Sequence, residues 1–173
     1  MVIKNARVLV GGRIVKDQDV LVEGGHIEAV GAGLKGGRGI DARGALLAPG
    51  FVDLHFHGCA GDDTMDGGDA VRHMAQWLPR TGVTAFLPTT MCDSLENTRG
   101  ALEGVRRAMD AAEGASVLGA NLEGPFLNAA RKGAQPERYV KNPSLDAYAH
   151  LVEGYETLPR ILTIAPETLG AME

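Results

Sequence analysis

Several things are scarce in this sequence, and each scarcity narrows the reading. Only two of its 173 residues are cysteine, Cys59 and Cys92. That is too few for a disulfide framework, so both are expected to be small, partly buried thiols in a reducing, cytoplasmic compartment. There is no excess of basic charge. Against 17 Lys and Arg stand 22 Asp and Glu, a formal charge of −5, which argues against a nucleic-acid partner. No apolar run approaches the roughly 20 residues that cross a bilayer, and the first residues lack the apolar core and cleavage pattern of a signal peptide. No membrane partner is expected. Low-complexity tracts, charge blocks and fixed-period repeats are also absent.

What is present is the composition of a globular protein, 45% hydrophobic and 23% charged, with 24 glycines that imply many tight turns. Over residues 1–49 short alternating stretches at 2–10, 14–22 and 26–31 are separated by Gly11-Gly12 and Gly24-Gly25. This pattern predicts a meander of strands with one wet face, followed by a Gly-rich loop at 31–39. After Pro49-Gly50 the pattern changes. Predicted strands at 51–57, 83–90, 116–124 and 160–167 alternate with predicted helices at 70–80, 95–112 and 144–157. Such alternation implies an α/β fold with parallel strands and right-handed crossovers, either a doubly wound sheet or a barrel. In both architectures ligands bind at the C-terminal ends of the strands. His55, His57, Thr89, Thr90, Glu123 and Glu167 all fall there.

Asp53-Leu-His55-Phe-His57 is the strongest constellation. Period-two alternation would put Asp53, His55 and His57 on one face of a strand that otherwise looks fully buried, where three polar groups are costly without partners. Two neutral imidazoles converging on a divalent metal satisfy that demand; one histidine bonded to a backbone carbonyl and one exposed is the plainer alternative. Asn121-Leu-Glu123-Gly-Pro125 is the second. A carboxylate closing an apolar strand calls for a cation, a metal or a raised pKa, or else pairs with Arg131 or Lys132 at the surface.

On these residues the chain resembles a family. PGFVDLHFHG at 49–58 is similar to the first-strand signature of the amidohydrolase superfamily. LEGPFLN at 122–128, followed by Lys132-Gly133-Ala134, resembles the N-acetylglucosamine-6-phosphate deacetylases, as do HGCAG at 57–61, TGVTAFLPTT at 81–90 and LTIAPE at 162–167. The resemblance implies a small β-sandwich domain, supplied in part by residues 1–49, followed by a metal-dependent (β/α)8 TIM-like barrel whose first strands lie in residues 50–173. It implies a divalent metal, zinc or iron, as one or two ions. Glu123 would ligate the principal ion and His55 and His57 a second, while the backbone of Ala134 would contact the sugar. The substrate would be a small amino-sugar phosphate and the full-length form a homodimer. The position after Ala134 is usually histidine in that family and is Gln135 here.

The reaction so implied is hydrolysis of the acetamide of N-acetyl-D-glucosamine 6-phosphate to D-glucosamine 6-phosphate and acetate. A metal that activates water and polarises the carbonyl, with an aspartate to move the proton, meets its demands. The family's catalytic aspartate and two later metal histidines have no counterpart in this chain. His73 and His150, both on predicted helices, read as surface or packing residues. Length agrees, because a (β/α)8 barrel takes ~250 residues and only about 120 follow residue 50. The chain alone is therefore expected to be inactive. The alternatives are a non-catalytic truncated form, or another amidohydrolase acting on a cyclic amide. Arg106-Arg107 reads as a solvated helix face; Arg131-Lys132 could reach a phosphate only if its loop folds inward.

Overall fold

Alternating apolar residues build the first strands of the computed structural model, which describes residues 1–111 and 113–172. The chain divides into two units, Met1–Pro49 and Gly50–Glu173. In the first, β1 (Val2–Val10) pairs antiparallel with β2 (Arg13–Glu23), and β2 with β3 (His26–Gly31). The glycine pairs 11–12 and 24–25 all have positive φ, the conformation that two-residue hairpin loops require. The meander is not the whole sheet. After the Gly-rich segment the chain returns as β4 (Gly39–Asp41) and β5 (Leu46–Leu47), both parallel to β1. These strands are too short to show a period in the sequence. Ala6, Val8 and Val20 form the small core.

The second unit runs β6 (Phe51–Phe56), a small hairpin of β7 (Gly58–Cys59) and β8 (Asp62–Asp63), α1 (Ala70–Trp77), β9 (Val83–Thr90) and α2 (Leu95–Ala111). It continues with β10 (Ser116–Val117), β11 (Ala120–Glu123), α3 (Leu145–Val152) and β12 (Pro159–Thr163). The fold is α/β with a parallel sheet. Its main strands lie in chain order, β6-β9-β11-β12, and β10 also pairs with β9. The helices pack on one face through residues spaced three and four apart: Val71, Met74 and Ala75 of α1, then Leu102 and Val105 of α2, against Phe86 and Leu122 of the sheet.

Several boundaries differ from expectation. The first helix is α-helical only to Trp77 and continues as a 3₁₀ turn, Leu78–Thr81, which contains Pro79 and stops at Gly82 with φ 85°. Ala112, the last residue expected in the second helix, lies outside the described residues. The third ends at Val152 rather than 157, since Glu153 leaves the helical region and Gly154 has φ 83°. The expected strand 116–124 is broken at Leu118-Gly119, where Gly119 takes φ 136°. Nor is β6 buried on both sides. It pairs with β9 along one edge only, and Phe51, Val52 and Leu54 are 71%, 55% and 50% exposed.

Candidate metal centre

The strand that carries the two histidines is irregular where they lie. β6 pairs Asp53 with Phe86 but Phe56 with Pro88, so three steps on one strand match two on the other. That shift breaks the period-two alternation expected across 53–57. Asp53 accordingly stands apart from the histidines, and its carboxylate accepts the backbone N–H of His55 at 3.1 Å. Phe56 turns to the helix side and meets the Phe86 ring edge-on, 5.6 Å between centroids. Irregularities of this kind recur beside functional sites because they re-aim a side chain.

His55 and His57 converge with Glu123, which stands at the end of β11 two strands away. Glu123 Oε2 lies 3.0 Å from His55 Nε2 and 2.9 Å from His57 Nε2, and the two nitrogens are 3.2 Å apart. Glu123 is partly exposed, not buried as its apolar strand suggested. The protonation pattern matters more than the distances. His57 Nδ1 faces the Thr89 carbonyl at 3.1 Å. A carbonyl only accepts, and so does the carboxylate beside Nε2, so a neutral ring can donate to just one of them; with the proton on Nδ1, Nε2 presents a lone pair. A lone pair 2.9 Å from a carboxylate oxygen is two acceptors facing each other, which a cation or an extra proton must separate. Metal-ligating histidines are commonly oriented by such a carbonyl bond. The donor set, two imidazoles and a carboxylate, suits a divalent transition ion, and edges of 2.9–3.2 Å approach the ~3.3 Å expected for tetrahedral ligands at ~2.0 Å. The residues fit a metal.

Ala134 lies in the exposed loop between β11 and α3, in a turn. Its neighbour Gln135 is buried, and Gln135 Oε1 accepts the backbone N–H of Cys92 at 2.8 Å. The Cys92 side chain in turn lies against Gly124, where a Cβ would collide with its sulfur. Glu123, Cys92 and Gln135 therefore form a continuous patch from strand end to loop. Burial, with a smaller contribution from Glu123, pushes the Cys92 thiol up to about 11, and burial likewise raises Cys59, so neither is a ready thiolate ligand. His73 and His150 lie on α1 and α3 as expected, beside Asp62 and Glu153, and outside the cluster. Arg106 and Arg107 pair with Glu103 on their own helix.

Reading the sequence placed Thr89 at a strand end and Asn121 in the glutamate motif without giving either a role, and passed over Thr64. Thr64, Thr89 and Asn121 are all within a few per cent of full burial. Thr64 takes the His57 carbonyl through both its backbone N–H and its hydroxyl, at 2.8 and 2.9 Å. Thr89 and Asn121 had one visible signal, a polar residue inside an otherwise apolar strand.

Parallel β/α units with an imidazole–imidazole–carboxylate cluster at the strand ends define a class of metal-binding α/β proteins. Residues 46–164 match the amidohydrolase family, and the chain belongs to it. Its relatives are more particular. It is 34% identical over 174 residues to the human N-acetylglucosamine-6-phosphate deacetylase, an alignment covering 94% of this chain and 42% of that protein. It is 35% identical to the N-acetylgalactosamine-6-phosphate deacetylase of Escherichia coli O157:H7, over 74% of this chain and 34% of that one. The crystal structure of the Thermotoga maritima N-acetylglucosamine-6-phosphate deacetylase superposes with a TM-score of 0.81 at 32% identity, covering 99% of this chain and 44% of that chain. The chain thus spans less than half the length of the relatives it matches.

Proposed function

We propose that the chain supplies the first part of a metal-dependent deacetylase that hydrolyses N-acetyl-D-glucosamine 6-phosphate to D-glucosamine 6-phosphate and acetate. The observation that carries this reading is the convergence of His55, His57 and Glu123 at the strand ends, in a chain whose relatives are named for that reaction. Residues 50–173 would be the first strands of a (β/α)8 barrel, in keeping with parallel strands that follow chain order, and residues 1–49 part of a small β-sandwich.

His55, His57 and Glu123 would hold the ion or ions: Glu123 on the principal one, with the histidines on a second or sharing the first. When bound, a divalent ion such as zinc or iron supplies Lewis acidity to the amide carbonyl and lowers the pKa of water. The chain's own contributions are to present these donors correctly. With Nε2 as the ligand atom, the Thr89 carbonyl would take the His57 Nδ1 proton, and the turn at Lys132-Gly133-Ala134 would set its backbone against the sugar. The residue that moves the proton is unassigned among residues 1–173. The same reading makes the full-length protein a cytoplasmic homodimer acting on a small amino-sugar phosphate, without nucleic acid or membrane. No described helix is long and apolar enough to cross a membrane.

The test uses the full-length gene product, assayed for acetate release and for bound metal. Glu123→Gln keeps volume but removes an anionic ligand, so metal content and rate should fall together, the rate by at least tenfold. The phosphorylated sugar should show a higher kcat/KM than the unphosphorylated one, because binding energy at the remote phosphate positions the amide. The galactosamine epimer is the comparison substrate of choice. Full activity in chelator with no bound metal, or a cyclic amide turned over faster than either sugar, would overturn the proposal.

A further inference from the structure

The histidine-bearing strand leaves the backbone ladder between Asp53 and Phe56, and side chains take over the bonds the ladder gives up. Phe56 N donates to the hydroxyl of Thr89 at 2.8 Å, and that hydroxyl passes its own proton to the Leu87 carbonyl at 3.2 Å. The Leu54 carbonyl, one residue before His55, accepts from Asn121 Nδ2 at 3.0 Å, reaching past β9 from β11. Thr89 meets the segment twice, since its carbonyl also faces His57 Nδ1 at 3.1 Å. Asn121 lies two residues before Glu123 on the same strand and is in register with Thr89. One side-chain network thus joins all three members of the cluster: Thr89 grips both sides of Phe56-His57, and Asn121 ties the His55 backbone to the Glu123 strand. Both side chains are almost fully buried, and Asn121 Oδ1 has no partner among the described residues, which is a cost a sequence has little reason to carry unless the amide is needed where it is.

We propose that Thr89 and Asn121 are positioning residues that hold the bulged His55–His57 segment in ligating geometry. The inference rests on the metal reading for its purpose but not for its first measurement. In the metal-free full chain the Phe56 amide, bonded to the Thr89 hydroxyl, should be protected from hydrogen exchange. Thr89→Val removes the hydroxyl at constant shape and strands Phe56 N–H, so that amide should exchange faster. Thr89→Ser should restore the protection. With metal, Thr89→Val and Asn121→Leu should each weaken zinc binding about 10- to 100-fold and alter the cobalt absorption spectrum, with Thr89→Ser returning both towards the parent values. Asn121→Leu keeps the test open should Thr89→Val not fold. Unchanged Phe56 exchange and unchanged zinc affinity in the folded variants, or a Thr89→Ser protein that behaves like Thr89→Val, would overturn the proposal. An exchange response as expected in a chain that binds no zinc would support the positioning role and count against the metal reading instead.

Discussion

Gln135 shows how much one side chain can be asked to do. The resemblance would put a histidine there, and the amide instead lies buried with its oxygen on Cys92 N–H. Gln135→Ala would leave that buried donor without an acceptor, a loss of about 1–3 kcal/mol, and chemical denaturation of the folded chain should read it as a lowered midpoint at unchanged slope. A larger consequence lies in the loop. Cys92 lies two residues beyond β9 and packs on the turn after Glu123, so releasing Gln135 should also loosen the 128–140 segment, seen as faster amide exchange there than elsewhere. The departure at position 135 was visible in the sequence. Its burial was not, because the partner is 43 residues away and nothing local announces it.

At the scale of elements, strand and helix existence was legible because a short continuous apolar run, Ala85-Phe86-Leu87, distinguishes β9 from the three-to-four spacing of α2. What was not legible came from backbone geometry. The bulge in β6 inverts the parity of Asp53 against Phe56, and only the partner strand defines a register. The break between β10 and β11 is another such case, hidden inside the largely apolar run SVLGANL. There Gly119 combines φ 136° with a close approach to the Leu158 carbonyl, against which a Cβ would collide. Gly119→Ala should therefore destabilise the second unit by roughly 1–3 kcal/mol from the backbone alone, with more from the collision. A thermal melt lowered by several degrees checks this; an unchanged melt would mean that the strand tolerates running straight through. The His-x-His and glutamate were readable because their chemistry is unusual for apolar strands, whereas the threonine and asparagine that hold them are ordinary residues made special only by burial.

At the scale of the molecule, the parallel sheet ends in two open edges. β6 on one side shows Phe51, Val52 and Leu54 to solvent, and β12 closes the other side with no further strand beside it among the described residues. Unpaired apolar edges are templates for pairing with another chain. Purified residues 1–173 should accordingly self-associate, with a light-scattering mass above that of one chain, 18.2 kDa. They should release no acetate with added zinc or iron. A monodisperse monomer with turnover would show the catalytic set to be complete within these residues.

The separation of the donors carries one more consequence. His55 and Glu123 are 68 residues apart in the chain yet 3.0 Å apart in space. An ion seated between them would act as a removable cross-link, closing a loop that takes in α1, β9 and α2. Clips across long loops act mainly by denying freedom to the unfolded chain. Limited proteolysis within 64–120 should then slow on loading with zinc and recover on chelation, which makes resistance to a protease a gauge of ion occupancy that needs no substrate at all.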